Sequence, residues 1–298
     1  MTVLPTAAEK RRAFAETIRS GAFVTAPGIY DMISARMADR MGFDCLYMTG
    51  FGTVASLLGL PDAGIASYSQ MVERVERFAG GTRTPIIADG DTGYGGLLNV
   101  AHTVRGYEAA GAAGIQIEDQ EFPKKCGHTP GRRVIPIDDI VRKLEVAVDA
   151  RTDPNFLIVA RTDARTSLGL DEALRRAEAF RQAGADILFV ESPESEAEME
   201  TIGRTFDAPL LANMVEGGKT PVLSPTRLKA IGYGMAIYPG AGFLAAAAAL
   251  EGVYKTLKAT GTTVGGSTPI YPFAEMTRLM GFEEVWAFER KWAAPDPA

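Results

Sequence analysis

The chain is expected to fold as a (β/α)8 barrel, and three observations lead there. Short apolar runs alternate with amphipathic stretches along almost the whole sequence, eight such runs can be placed, and nearly every one ends in a polar or ionisable residue. A length of 298 residues suits one barrel with terminal additions, and an apolar content of 46% is enough to fill its core.

In order, the runs are Phe23-Val24-Thr25-Ala26, Cys45-Leu46-Tyr47-Met48, Pro85-Ile86-Ile87-Ala88 and Gly114-Ile115-Gln116-Ile117. Leu157-Ile158-Val159-Ala160, Ile187-Leu188-Phe189-Val190, Pro209-Leu210-Leu211-Ala212 and Met235-Ala236-Ile237-Tyr238 follow. Between them, apolar residues recur every three or four positions; over Leu170 to Gly184, Leu174, Ala177, Phe180 and Ala183 share one helix face. Several such segments meet a glycine just before the next run, as in Met41-Gly42-Phe43-Asp44, Ala110-Gly111-Ala112-Ala113 and Ala183-Gly184-Ala185-Asp186, a common helix stop. The competing fold is an open doubly wound sheet. Its dinucleotide fingerprint is missing from the first strand-to-helix turn, Ala26-Pro27-Gly28-Ile29-Tyr30. Residues 1–298 therefore read as one barrel domain, with a C-terminal helical extension over about 261–298.

Composition narrows the function. A net charge of -6 argues against a nucleic-acid binder, which would need a basic face. The longest apolar stretch, Gly240 to Leu250, is mostly alanine and too short to cross a bilayer. Met1 to Arg12 lacks the basic start and apolar core of a signal peptide, and two cysteines, Cys45 and Cys126, make a disulfide framework improbable; a cytoplasmic protein is expected. Cys45 lies in an apolar run and reads as a buried, inert thiol. With only His102 and His128 present, a His-rich metal site or a Ser-His-Asp triad has little to draw on.

The chemistry is expected at the strand ends, where barrel enzymes work. Asp89 and Asp91 sit in a glycine-rich turn, Asp89-Gly90-Asp91-Thr92-Gly93-Tyr94-Gly95, directly after the third run. Glu118 ends the fourth, in Glu118-Asp119-Gln120. Carboxylates aimed at one point from neighbouring strands suit a hard divalent cation, Mg²⁺ or Mn²⁺. Either strand end alone would read as a helix cap or a shaped turn; two in succession point to a metal site. Arg161, expected on a facing strand, offers a two-pronged grip on a carboxylate or phosphonate. Asn213 and the backbone at Thr49-Gly50 could complete that cradle. After the fourth strand, Lys124-Lys125-Cys126-Gly127-His128 sets a thiol beside two lysines and a histidine, a positive field that favours a thiolate or a ready proton donor. A surface loop with an incidental cysteine is the plainer reading, weakened by its closeness to Glu118.

Together with Ala160-Arg161-Thr162-Asp163-Ala164, Val190-Glu191-Ser192-Pro193 and Ala212-Asn213-Met214-Val215-Glu216-Gly217-Gly218-Lys219-Thr220-Pro221, these motifs resemble the isocitrate lyase/phosphoenolpyruvate mutase superfamily over about Gly21 to Thr260. The resemblance implies a barrel whose last helix is exchanged between subunits, usually in a homotetramer. It implies Mg²⁺ held by Asp89 and, through water, by Asp91, Glu118 and Asp62. The Lys-Cys-Gly-His loop is similar to that of the lyase branch, where the cysteine acts as the acid. Carried over, Tyr47 would assist deprotonation of a substrate hydroxyl, and Thr49, Gly50 and Phe51 would bind the 2-oxo-acid half. Arg161, Glu191 and Asn213 would position carboxylates, and Gly127 and His128 would also bind substrate. One departure concerns substrate: where 2-methylisocitrate lyases carry an arginine five residues after Tyr-Pro, Leu244 follows Tyr238-Pro239 here. Arg278 could compensate. The implied activity is Mg²⁺-dependent retro-aldol cleavage of a small 2-hydroxy di- or tricarboxylate, with an alkylmalate favoured. Mutase-type or oxaloacetate decarboxylase/hydrolase chemistry in the same site is the alternative, and a catalytically silent binding barrel is the non-enzyme one.

Overall fold

The computed structural model describes residues 4–127, 129 and 131–293. The chain opens with α1 (Ala7–Arg19). The repeating unit then runs β1 (Val24–Ile29), α2 (Met32–Arg40), β2 (Leu46–Met48), α3 (Gly50–Leu58), α4 (Tyr68–Gly81), β3 (Ile86–Asp89), α5 (Leu97–Ala109) and β4 (Gly114–Glu118). It continues through α6 (Ile137–Ala150), β5 (Leu157–Thr162), α7 (Ala164–Leu168), α8 (Leu170–Gln182), β6 (Ile187–Val190), α9 (Glu196–Thr205), β7 (Leu211–Asn213), α10 (Pro225–Ala230) and β8 (Met235–Tyr238). Last come α11 (Ala241–Thr260), α12 (Phe273–Leu279) and α13 (Phe282–Trp292).

All eight strands pair in parallel, in the order β6-β5-β4-β3-β2-β1-β8-β7. A parallel bridge between Leu188 and Leu210, with the Leu188 N–H donating to Pro209 O at 2.9 Å, brings the two ends of the sheet together. The fold is therefore the barrel, and the open sheet is excluded. Each predicted run contains or overlaps a strand, and Gly42, Gly111 and Gly184 all take the left-handed backbone that a helix stop requires.

Two apolar layers hold the barrel. One fills its interior with Val24, Ala26, Tyr47, Ile87, Val159, Phe189 and Ile237, and Phe14 and Ile18 of α1 belong to the same cluster. The other lies between strands and helices, around Met71, Phe78, Tyr107, Ile158 and Phe180. α8 buries Ala177 and Phe180 as its periodicity predicts, but Ala173 and Arg176 too, so its inner face is rotated toward the latter pair. In α1, Lys10 and Arg11 are buried beside Phe14. The Lys10 ammonium donates to Ala79 O at 2.6 Å and Thr82 O at 2.5 Å. Arg11 donates to Ala112 O at 3.0 Å and Glu108 O at 2.5 Å, and lies 3.3 Å from Asp153.

By its contacts the chain divides into two units, one over Pro5–Phe243 and one over the described residues from Leu244 onward. The second comprises most of α11, then α12 and α13, none of which buries a residue. Tyr254, Phe273, Phe288 and Trp292 are among its exposed large apolar side chains.

Candidate active site

The strand ends converge as predicted. Asp89 closes β3, and Gly90 N–H donates to Gln116 O at 2.9 Å, drawing the turn over β4. Asp91, in left-handed backbone, donates its N–H to Asp89 Oδ1 at 3.0 Å. Gly50 shows why its residue type is needed: a Cβ there would lie 2.5 Å from Asp89 Oδ2. Glu118 ends β4, in register with Arg161 on β5. Arg161 is thus on the adjacent strand, not on a facing one.

A cation already stands among these acids. The Lys124 ammonium lies 2.5 Å from Asp62 Oδ1 and 2.5 Å from Asp91 Oδ1, with both ion pairs buried. Burial alone would depress Lys124, but the charges of Asp91, Asp62, Asp89 and Glu118 hold its pKa well above the ordinary value. The acids are strained in the opposite sense. Burial, opposed by Lys124 and reinforced by Asp62, raises Asp89; the same causes with Asp89 added push Asp91 up to about 7. Glu118 is driven well above the carboxylate range by burial, against the pull of Arg161, and its Oε1 is buried with no hydrogen-bond partner.

Among the described residues no three His, Cys, Asp or Glu groups form a finished metal cage. The donor set nevertheless fits a hard divalent cation in chemistry: buried carboxylate oxygens, one lacking a donor and two served by a lysine.

Beside the acids, Arg161 is a hub. Its Nε lies 2.9 Å from Asp163 Oδ2 and 3.4 Å from Glu118 Oε2, its Nη2 donates to Asp163 Oδ1 at 2.9 Å, and its Nη1 lies 3.4 Å from Glu191 Oε2. Asn213 donates to Glu191 Oε2 at 3.0 Å. Burial would raise Asp163, but Arg161 and Arg132 outweigh it and hold the carboxyl below its usual value. Tyr47 donates to Gln116 Oε1 at 2.9 Å, and Gln116 Nε2 donates to Asp89 Oδ1 at 3.4 Å. Burial, reinforced by Asp89, keeps this phenol protonated far above its ordinary pKa.

The loop after β4 folds over the same groups. Cys126 N–H donates to Asp62 O at 3.2 Å, and Gln120 exchanges two hydrogen bonds with the Lys125 backbone at 2.8 and 3.0 Å. Gly127 is pressed against Arg161 and Glu191 so closely that a Cβ would collide with both. Ser192 Oγ reaches Gly127 O at 3.1 Å. Arg132 ends the loop fully buried, paired with Asp163 and donating to Thr166 Oγ1 at 2.6 Å.

Of the predicted site residues, Asp62, Asp89, Asp91, Glu118, Tyr47, Gly50, Arg161, Glu191, Asn213, Cys126 and Gly127 are linked by these contacts. Thr49 is buried as the N-cap of α3. Phe51, on the outer side of that turn, is partly exposed and meets the Phe243 ring edge at 5.1 Å. His128 lies outside the described residues. Leu244 stands in the first turn of α11, in the second unit and 45% exposed. Arg278 pairs with Glu275 and Glu283 within that unit. The two lysines expected around Cys126 are committed elsewhere: Lys124 to Asp62 and Asp91, Lys125 Nζ to Gly131 O at 3.2 Å. Gln116, Asp163 and Arg132 were not singled out from sequence, and Lys124 was read there only for its field on Cys126, not as the partner of Asp62 and Asp91. Gln116 had a signal, being the lone polar residue inside an apolar run.

A closed parallel barrel with a cation-holding acid cluster and a carboxylate-gripping arginine at the strand ends defines a class: barrel proteins that handle small anionic oxygen compounds. The comparisons with known proteins are specific. The family model for phosphoenolpyruvate phosphomutase matches residues 14–258, and the chain belongs to that family. It is 46% identical over 278 residues to a 2,3-dimethylmalate lyase of Eubacterium barkeri, covering 93% of this chain and 96% of that one. It is 42% identical to a 2-methylisocitrate lyase of Aeropyrum pernix, covering 90% and 86%. Among solved structures, an oxaloacetate acetylhydrolase bound to 3,3-difluorooxalacetate superposes with a TM-score of 0.90 at 34% identity, over 98% and 99% of the two chains.

Proposed function

We propose that the protein is a Mg²⁺-dependent carbon–carbon lyase that cleaves a 2-hydroxydicarboxylate of the alkylmalate class, 2,3-dimethylmalate being the best candidate. The hydroxyl loses its proton, the bond between C2 and C3 breaks, and the electron pair stays on the carbon beside the departing carboxylate. A proton delivered there completes propionate, and C2 leaves as pyruvate. When bound at Asp89, Asp91, Glu118 and Asp62, Mg²⁺ would supply Lewis acidity toward the 2-oxygen and its neighbouring carboxylate.

The protein's own groups divide the rest. Arg161, squared up by Asp163 and Glu191, holds a substrate carboxylate, and Asn213 shares that task. Tyr47 has committed its hydrogen to Gln116, so its phenol oxygen is left to accept from the substrate hydroxyl and orient it. Gly50, in the first turn of α3, backs onto Asp89, and with the buried N-cap Thr49 it suits the 2-oxo-acid half. Cys126 is the acid that protonates the new carbanion. The observation that carries this reading is the loop seating: Gly127 against Arg161 and Glu191, with Cys126 N–H on Asp62 O. A thiol-bearing segment held across the acid cluster suits protonation of carbon and exclusion of water.

The test is product release. Purified protein with Mg²⁺ should liberate pyruvate from 2,3-dimethylmalate. Oxalate and acetate formed from oxaloacetate, with no pyruvate from any alkylmalate, would replace this reading with the hydrolase one that the structural likeness supports. We infer also a homotetramer with helix exchange. α11 buries no residue, and Phe273, Phe282, Trp286, Phe288 and Trp292 of α12 and α13 are exposed, apolar side chains that a neighbouring subunit would cover. A single monomeric species at micromolar concentration in sedimentation equilibrium would overturn it.

A further inference from the structure

We propose that Ser192 is a positioning residue, its hydroxyl latching the cysteine-bearing loop onto the Arg161–Glu191 pair so that loop closure and substrate grip become one event. The meaning of the closed state rests on the lyase reading; the latch itself does not.

Ser192 follows the end of β6 in left-handed backbone, at φ 58°, and is fully buried. A non-glycine residue keeps that conformation only where its surroundings over-determine it. Its surroundings are all functional. Ser192 Oγ lies 3.1 Å from Gly127 O, 3.0 Å from Glu191 Oε1 and 3.5 Å from Arg132 Nη2. A hydroxyl has one hydrogen, so donation to the loop carbonyl and donation to the carboxylate exclude each other. Arg132 can only donate, and its approach leaves the hydroxyl hydrogen for one of these two acceptors.

The choice has consequences on both sides. With the loop seated, Gly127 O takes the hydrogen and the Ser192 hydroxyl does not donate to Glu191 Oε1, while Oε2 accepts from Asn213 and faces Arg161. When the loop leaves, the hydroxyl turns back to Glu191. The far end of the loop reports to the same group, since Arg132 pairs with Asp163, which grips Arg161 through two hydrogen bonds of 2.9 Å. Both attachments of the loop therefore end on the partners of one guanidinium. A hydroxyl that only satisfied a buried carbonyl would not need the strained backbone that aims it between loop and carboxylate.

Ser192→Ala and Ser192→Gly both remove the hydroxyl, and glycine accepts the backbone without strain, which safeguards folding of at least one variant. The first readout needs no substrate: the rate at which iodoacetamide alkylates Cys126, followed by mass spectrometry. Cys45 is fully buried, its thiol pushed up to about 12, so it stays silent. Both variants should be alkylated at least about fivefold faster than wild type, with kcat on 2,3-dimethylmalate about tenfold lower and KM nearly unchanged. Gly127→Ala, whose methyl would strike Arg161, should reproduce the fast alkylation and add nothing to Ser192→Gly. Wild-type alkylation rates in both serine variants would overturn the latch, and faster alkylation with unchanged kcat would overturn the positioning role. If wild type proves inactive on alkylmalates while alkylation still accelerates, the lyase reading falls and the latch stands.

Discussion

Buried charge is handled in opposite ways in two regions of the barrel. In α1, Lys10 and Arg11 are enclosed and their donors go to main-chain carbonyls of Ala79, Thr82, Ala112 and Glu108. Nearby, Glu108 accepts from the N–H groups of Thr152 and Asp153 and from the Thr152 hydroxyl, at 2.6–2.8 Å. Charges so closely matched hold the fold and have no capacity for a ligand. At the strand ends, four acids crowd round one lysine, Glu118 keeps an oxygen without a donor, and three of the acids have raised pKa values. Such under-satisfied charge costs stability and is worth keeping only where a ligand completes it. The contrast separates structure from function without reference to motifs.

The sharpest way to break the contrast is Asp89→Ala. It should lower turnover by about 10⁴-fold or more and abolish Mg²⁺ binding, with the thermal midpoint moved little, because relief of buried charge repulsion with Asp62 offsets the loss of its bonds from Asp91 N–H and Gln116. Calorimetry for the metal and a melting scan check both halves. Arg11→Ala should do the reverse: about 3 kcal/mol of stability lost in denaturant unfolding, since carbonyls and Asp153 are left unmatched, with kcat of the folded enzyme retained. Cys126→Ser should reduce kcat by about 10²-fold while binding of pyruvate persists, the range expected when a general acid is lost. Near-normal turnover in that variant would remove the thiol from the mechanism.

The smallest effect sharpens the electrostatics. Mg²⁺ binds ionised carboxylates, and Asp91 is raised to about 7, so protons compete with the metal below that pH. Apparent affinity should fall as pH drops from 7 to 6, by at most about tenfold per unit for one proton, and calorimetry in buffers of differing ionisation enthalpy should show proton release. Affinity flat across this range would mean that Asp91 is already ionised.

Legibility in the sequence followed the range of the interactions. β6 and β8 match their apolar runs residue for residue, because a strand buried on both faces shows itself locally. β1 continues past Ala26 through Pro27-Gly28 to Ile29, although Pro-Gly reads as a turn. The reason is remote: a Cβ at position 28 would lie 2.4 Å from Pro239 O, so glycine there serves a close passage of two chains. β5 likewise runs on into Arg161 and Thr162, whose polarity hid its end. The acids and Arg161 were readable because strand ends share one face of a barrel. Lys124 was read for its field on Cys126, yet its partners are Asp62 and Asp91, brought near only by the closed fold. Arg176 buries itself on Asp119, 57 residues away in sequence, which no local pattern announces.

Lys124 also bears on the order in which the molecule is assembled. Carboxylates gathered in a dry mouth repel one another, and a chain that had to wait for its ion would reach the native state late or only when the ion was plentiful. Here the compensating charge is encoded in the loop that follows Glu118, so the polypeptide carries its own provisional counterion. On the metal-dependent reading proposed above, folding would precede metal binding, and the supply of the metal would govern how much enzyme is active rather than how much protein survives.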